Sequence, residues 1–197
     1  NIPNNIVTIG VSAFYNCQSA SSLIIGEGVT SIGSKAFELC SSITKIEIPD
    51  NVITIGATAF NGCQSATTFT MGVYVTRIEA NAFQNCSNIK SIEIPDNVQS
   101  IGASAFQGCI SATSITIGSG VTYIGIDAFN SCSALTLVTL PDTLESQYGN
   151  NNASYFTTGT GNTITYRYYK IITFDDTSGT GILSSDDVNA RIAASGN

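Results

Sequence analysis

Ile92 to Cys109 reads IEIPDNVQSIGASAFQGC, and its pattern recurs at a constant interval along most of the chain. The recurrence is clearest in a column of phenylalanines and a column of cysteines, in which each member stands 23 positions after the last. The phenylalanines are Phe14, Phe37, Phe60, Phe83, Phe106 and Phe129. The cysteines are Cys17, Cys40, Cys63, Cys86, Cys109 and Cys132. Six units in register, over roughly residues 4–141, indicate an internal repeat rather than chance.

A unit of this length, here called a coil, is too short to bury its own apolar side chains. Consecutive coils must therefore shelter one another, which predicts a solenoid. Each coil contains a strand-like segment in which Ile46 and Ile48 point inward while Lys45 and Glu47 point outward. A turn with Pro49 follows, and residues 59–63 are predicted to close the coil as one helical turn.

A second period, twice as long, overlies the first. The turn after the strand alternates between glycine and proline, at Gly26, Pro49, Gly72, Pro95, Gly118 and Pro141. Small and large residues alternate in the same way three positions after each cysteine, which would let neighbouring coils interdigitate. The sequence offers no functional reason for this alternation.

The unit Ile-x-Ile-Pro-x-x-Val-x-x-Ile-Gly-x-x-Ala-Phe-x-x-Cys resembles the BspA-like, or treponemal-type, leucine-rich repeat over about residues 2–144. The resemblance implies a curved right-handed solenoid with a parallel sheet on its concave face. It also implies a secreted or surface-anchored protein that acts in adhesion or interaction. We therefore predict a β-rich leucine-rich-repeat solenoid of six equal repeats over residues 1–144, with short helical turns on its convex side.

Residues 145–197 lack the repeat and are predicted to form a C-terminal β-rich cap or subunit junction. Their strongest strand signal runs from Thr163 to Phe174, because β-branched and aromatic residues dominate it. This strand could cap the last coil or pair with a neighbouring subunit. A short helix is expected from Ser184 to Ile192, where a capping box precedes the apolar positions.

The net charge and the absence of histidine exclude several classes of function. The 197 residues carry a net charge of −7, from 14 acidic and 7 basic side chains, which argues against a nucleic-acid partner. Histidine is absent, so Ser-His-Asp and Cys-His catalysis and His-ligated metal sites are excluded. We expect no enzyme activity, no cofactor and no membrane-spanning segment.

The cysteine column has three interpretations. One cysteine per coil forms a line, with neighbouring coils about 4.8 Å apart, and a line does not supply four converging thiolates for zinc. Disulfides between neighbouring coils are disfavoured because parallel Cβ vectors fit the bridge poorly. An inward ladder of small apolar thiols is the preferred interpretation.

The outward strand positions are the candidate partner-binding surface, because solenoids commonly bind partners on their strand face. We predict a contact set on the concave face made of Lys45, Glu47, Thr70, Glu93, Thr116 and Thr139. Glu47 and Glu93 are about 10 Å apart by strand spacing, near the separation of inverting glycosidase carboxylates. Nothing in the sequence indicates a cleft or a raised pKa there, so a solvated polar face is favoured.

Two further hypotheses concern the end of the solenoid and its glycans. The first coil lacks most of its strand, so Ile2, Pro3 and Ile6 are predicted to form an open apolar end. Either the chain is a fragment or processed form of a longer solenoid, or another copy covers this end. Asn85 and Asn152 lie in the acceptor pattern for N-linked glycans.

The sequence therefore leaves two functions open. The first is non-catalytic binding or adhesion at the cell surface or outside the cell, with a protein, cell-surface or matrix ligand. The alternative is a structural protein that assembles head to tail into extracellular filaments.

Overall fold

The computed structural model describes residues 1–145, 155–156 and 163–170, and it is a β-solenoid with a short strand in each coil and a long strand in every coil after the first. The short strands are β1 (Thr8–Ile9), β2 (Ser31–Ile32), β4 (Thr54–Ile55), β6 (Arg77–Ile78), β8 (Ser100–Ile101) and β10 (Tyr123–Ile124). The long strands are β3 (Lys45–Glu47), β5 (Thr68–Thr70), β7 (Ser91–Ile94), β9 (Ser114–Ile117), β11 (Leu137–Pro141) and β12 (Thr165–Tyr169). A 3₁₀ helix, Asp142–Leu144, follows β11. The predicted β-rich solenoid is thereby confirmed.

All strand pairs are parallel, and within the repeats each residue pairs with its equivalent in the next coil. The short strands form one six-stranded sheet, with Ile9 opposite Ile32 and so on up to Ile124. The long strands form a pair, β3–β5, and a separate four-stranded sheet in the order β12, β11, β9, β7. The sheet of long strands is therefore interrupted between β5 and β7.

The core is a stack of identical residues from successive coils. The rings from Phe37 to Phe129 are at most 2% exposed, whereas Phe14 of the first coil is 39% exposed. Consecutive rings are stacked, with centroids 5.0–5.4 Å apart and planes within 16° of each other. Ile46 and Ile48 are buried while Lys45 and Glu47 are exposed, as the strand period predicts.

The cysteines from Cys40 to Cys132 are buried in a second column, while Cys17 is exposed. Each buried thiol donates a hydrogen bond to the phenylalanine carbonyl of the previous coil; the bond from Cys86 Sγ to the Phe60 oxygen is 3.2 Å long. Burial raises the pKa of the Cys86 thiol to about 12, because desolvation penalises the thiolate. The buried thiols therefore stay protonated, which suits the inward ladder.

The predicted helical turn at residues 59–63 is wrong; this segment is a chain of β-turns. Thr58 and Gly62 have φ values of 56° and 76°, which an α-helix does not admit. The Phe60 N–H donates to the Ala82 carbonyl of the next coil at 2.7 Å, where a helix would direct it four residues back along the chain. The turn segment thus bonds from coil to coil as the strands do.

The alternation of proline and glycine turns has a structural reason. Asp96, which follows Pro95, accepts the Ser119 N–H of the next coil at 2.7 Å through its Oδ1 atom. Asn97 donates its side-chain amide to the Val73 carbonyl of the previous coil at 2.8 Å. Asp50 and Asn51 make the same two kinds of bond. Each proline turn is therefore stapled to the glycine turns on both sides.

At Gly118 and Gly120 the glycine turn lies so close to the preceding proline turn that a side chain does not fit. A Cβ atom added at Gly120 would lie 2.0 Å from the Asp96 carbonyl oxygen, and one at Gly118 would lie 2.4 Å from the Pro95 oxygen. Gly10 has no atom within 4 Å of the corresponding position. Close backbone approach, rather than a positive φ, explains the glycines at 118 and 120.

The C-terminal segment continues the stack within the same chain. β12 pairs in parallel with β11 along its whole length, and the predicted strand from Thr163 is thereby observed over Thr165–Tyr169. Phe156 stacks on Phe129 with a centroid distance of 5.1 Å. The helix predicted from Ser184 lies outside the described residues, and the division at residue 144 into two domains stays a prediction.

We predict that Phe83→Ala lowers the free energy of unfolding by about 3–5 kcal/mol, because it opens a cavity within the ring stack. Phe14→Ala is the matched control and should cost clearly less, since that ring is already partly exposed. Chemical denaturation measures both; equal losses for the two variants would contradict the buried stack.

Gly120→Ala should destabilise the protein by about 1–3 kcal/mol, because the new methyl group would collide with the Asp96 backbone. Gly10→Ala adds the same atom where nothing opposes it and should leave the melting temperature unchanged or slightly raised. If Gly120→Ala leaves the stability of the protein unchanged, the close approach of the glycine turn to the proline turn is refuted.

Thiol labelling at about pH 8 tests the cysteine column, because the thiolate is the reactive form. In the native chain we expect Cys17 to react rapidly and the five buried cysteines to react only as the protein unfolds. All six thiols should react in denaturant. Fewer than six would reveal disulfides, and rapid native labelling beyond Cys17 would contradict the buried column.

Candidate functional site

The outward side chains of β3, β5, β7, β9 and β11 form the candidate surface, here called the long-strand face. Of the predicted contact residues, five are exposed: Lys45, Glu47, Thr70, Glu93 and Thr116. Thr139 is half-buried. The pleat of each strand alternates these polar side chains with buried isoleucines, so the period of two that builds the core also presents the face.

Four of the predicted residues come together around one open groove of about 700 Å³, namely Thr70, Glu93, Thr116 and Thr139. Glu47 instead lines a smaller groove of about 310 Å³ beside Asp50 and Glu27. Lys45, at the start of β3, lines neither groove. Glu47 and Glu93 therefore do not share one cleft of the kind that a pair of glycosidase carboxylates requires.

Tyr169 and Lys170 complete the larger groove, and the sequence did not identify either as a site residue. The Tyr169 hydroxyl donates to the Ile117 carbonyl at 2.7 Å, which fixes the ring over the ends of β9 and β11. Burial, with a smaller contribution from the negative charge of Asp96, raises the pKa of Tyr169 to about 12. The hydroxyl therefore stays protonated and keeps its hydrogen bond near neutral pH.

The groove has an apolar part beside the interruption between β5 and β7. Phe69 occupies a position in β5 that is isoleucine in the paired positions of β3 and in β7, and its larger ring is only half-buried. The ring packs edge to face against Phe83 and Phe106, with ring centroids 5.0 Å and 5.8 Å apart. Met71 is half-buried next to it. The interruption between β5 and β7 therefore lies where the larger ring replaces isoleucine.

Chemically, the long-strand face offers hydroxyl groups, carboxylates and an apolar strip to a partner. Within residues 1–145, 155–156 and 163–170, no three His, Cys, Asp or Glu side chains are grouped as metal ligands would be. These groups suit recognition by hydrogen bonds and charge.

The other predicted site residues lie away from the long-strand groove. Ile2 is buried, with its N–H bonded to the Ile24 carbonyl, while Pro3 and Ile6 are exposed. Asn85 is exposed at a φ of 59°, and its side-chain oxygen lies over Gly108 of the next coil. Asn152 lies outside the described residues, so both glycan positions stay predictions.

Where the structure describes the chain, no helix combines the length and the apolar character that crossing a membrane requires.

Solved structures from bacteria share this architecture. A leucine-rich-repeat protein from Bacteroides ovatus is 27% identical with a TM-score of 0.69, over 86% of this chain and 41% of that one. A leucine-rich cell surface protein from Faecalibacterium prausnitzii is 31% identical with a TM-score of 0.54, over 68% of this chain and 42% of that one. The T. pallidum leucine-rich-repeat protein is 22% identical with a TM-score of 0.60, over 90% of this chain and 84% of that one. At this level of identity, the likeness supports a common fold and nothing about function.

The chain spans about two fifths of the length of the first two of these relatives. No functionally curated protein matches it. The family model for the BspA type leucine rich repeat region matches six copies, over residues 1–111 and 54–165. Repeats of this family are generally non-catalytic binding domains. The chain therefore belongs to the BspA-type leucine-rich-repeat family.

Proposed function

We propose that the protein is a non-catalytic binding module that acts at the cell surface or outside the cell and adheres to a protein or matrix ligand. The observation that carries this proposal is the groove in the long-strand face, where Thr70, Glu93, Thr116 and Thr139 converge with Tyr169. An open groove of this size with hydroxyl and carboxylate groups around apolar side chains is suited to a partner's surface segment.

The proposed location outside the cell or at its surface rests on the similarity of this chain to a bacterial relative. The relative from Faecalibacterium prausnitzii, 31% identical, is a cell surface protein. The family supports binding in general and does not specify a partner. Catalysis has less support, since the candidate carboxylates Glu47 and Glu93 line different grooves. Head-to-tail assembly through Ile2, Pro3 and Ile6 stays a prediction: Ile2 is buried, whereas Pro3 and Ile6 are exposed.

Binding of the fluorescently labelled chain to intact cells and to matrix-coated surfaces tests the proposal. We expect saturable binding, and we expect Thr116→Arg to weaken it by about tenfold or more, because a long charged side chain would fill the centre of the groove. Light scattering in parallel should show an unchanged oligomeric state.

Gln99→Arg is the matched control, because it adds the same charge at an exposed position beside β8 and outside the groove. It should bind as the unmodified chain does. Equal binding by the two variants would show that the binding site lies outside the long-strand face. Absence of saturable binding to both cells and matrix-coated surfaces would reject the adhesive function.

A further inference from the structure

One margin of the long-strand face, at the ends of the strands, carries two copies of the same acidic segment. Glu47-Ile-Pro-Asp50 starts at the last residue of β3, Glu93-Ile-Pro-Asp96 starts within β7, and all four carboxylates are exposed. The copies are two coils apart, so they recur at about 10 Å along the solenoid. We call this margin the acidic edge; its four carboxylates are those of Glu47, Asp50, Glu93 and Asp96.

The coil between the two acidic segments has no charged residue at the equivalent positions, and most of its residues there are apolar. Thr70 occupies the position of the two glutamates, and Val73, 47% exposed, occupies that of the two aspartates. Met71 and Phe69 lie half-buried beside them at the interrupted sheet. Along the solenoid the acidic edge therefore presents a negative step, an apolar step and a second negative step, with the larger groove adjoining the last two.

The carboxylates of the acidic edge are held in place by the fold. Asp50 accepts the Val73 N–H at 3.1 Å, and Asp96 accepts the Ser119 N–H at 2.7 Å. Lys45 begins β3 and Lys90 precedes β7, both at the opposite ends of the strands, whereas Lys170 lines the larger groove together with Glu93 and Asp96. The acidic edge is therefore a pre-positioned pattern of negative charge around an apolar strip.

We propose that the acidic edge binds an extended cationic peptide segment whose two basic residues are three positions apart and flank an apolar residue. This proposal rests on the proposed binding function and names its partner's chemistry. A polyproline II segment advances about 3.1 Å per residue with three residues per turn, so positions i and i+3 face the same way about 9 Å apart. That spacing matches the two acidic segments, whereas a residue between the cations points about 120° away from them, toward a flank of the acidic edge.

Fluorescence anisotropy with synthetic peptides tests the proposal on the full chain. The probe is Gly-Arg-Pro-Leu-Arg-Pro-Gly, and its isomer Gly-Arg-Arg-Pro-Leu-Pro-Gly keeps the charge and composition but changes the spacing. A third peptide carries glutamate in place of both arginines. We expect the probe to bind about tenfold more tightly than its isomer, the glutamate peptide not to bind, and rising salt to weaken the probe.

The variant E47Q/E93Q removes two charges of the acidic edge and should weaken the probe by about tenfold. The control E38Q/E79Q removes the same charge outside both grooves, where these carboxylates pair with Lys35 and Arg77, and should leave the affinity for the probe unchanged. Equal affinity for probe and isomer overturns the spacing, and equal affinity in the two variants overturns the site.

No probe binding at about 1 mM overturns the cationic partner altogether. That failure is distinguishable from failure of the proposed function: if adhesion persists and remains sensitive to T116R, the long-strand face binds a partner of other chemistry. If adhesion is lost as well, both proposals fall.

Discussion

Each coil is completed by its neighbours, and this mutual shelter is the constraint on which the rest of the structure depends. Within a single coil, neither the phenylalanine ring nor the backbone N–H groups of the turn segment have enough partners. Stacking provides both: rings from Phe37 to Phe129 lie face to face, and the N–H of each donates to a carbonyl of the following coil or segment. Because burial is arranged along the solenoid axis, the outward positions are free to vary, and function is confined to them.

The periodic part of the fold was predictable because a constant repeat length forces equivalent side chains into one orientation. The buried phenylalanine and cysteine columns and the exposed positions of Lys45 and Glu47 follow from that spacing alone. The helical turn at residues 59–63 was predicted wrongly, because an Ala-Phe-x-x-Cys pattern does not reveal which carbonyl an N–H will bond. Tyr169 was missed for a related reason. Leu137 pairs with Thr165, which lies farther along the chain than one repeat length, so the repeat register could not be extended through residues 145–164.

The departures from the repeat coincide with the candidate site. Phe69 replaces isoleucine, Met71 and Val73 leave an apolar strip, and the sheet is interrupted beside them. Sequences tend to break their own structural rules at functional positions, where local cost is accepted in exchange for recognition. The alternation of proline and glycine turns adds to this picture. It staples the coils together, and it also repeats the Glu-Ile-Pro-Asp segment at two-coil intervals, which places like charges at a spacing that a single coil could not provide.

Native-state amide hydrogen exchange, resolved by residue, tests the mutual shelter of the coils most directly. The N–H groups of Phe37, Phe60, Phe83 and Phe106 should exchange only through global unfolding, because each is buried and bonded to the following coil. The N–H of Ile110, whose side chain is exposed, should exchange far faster. Exchange of the four phenylalanine amides at the rate of Ile110 would contradict the account.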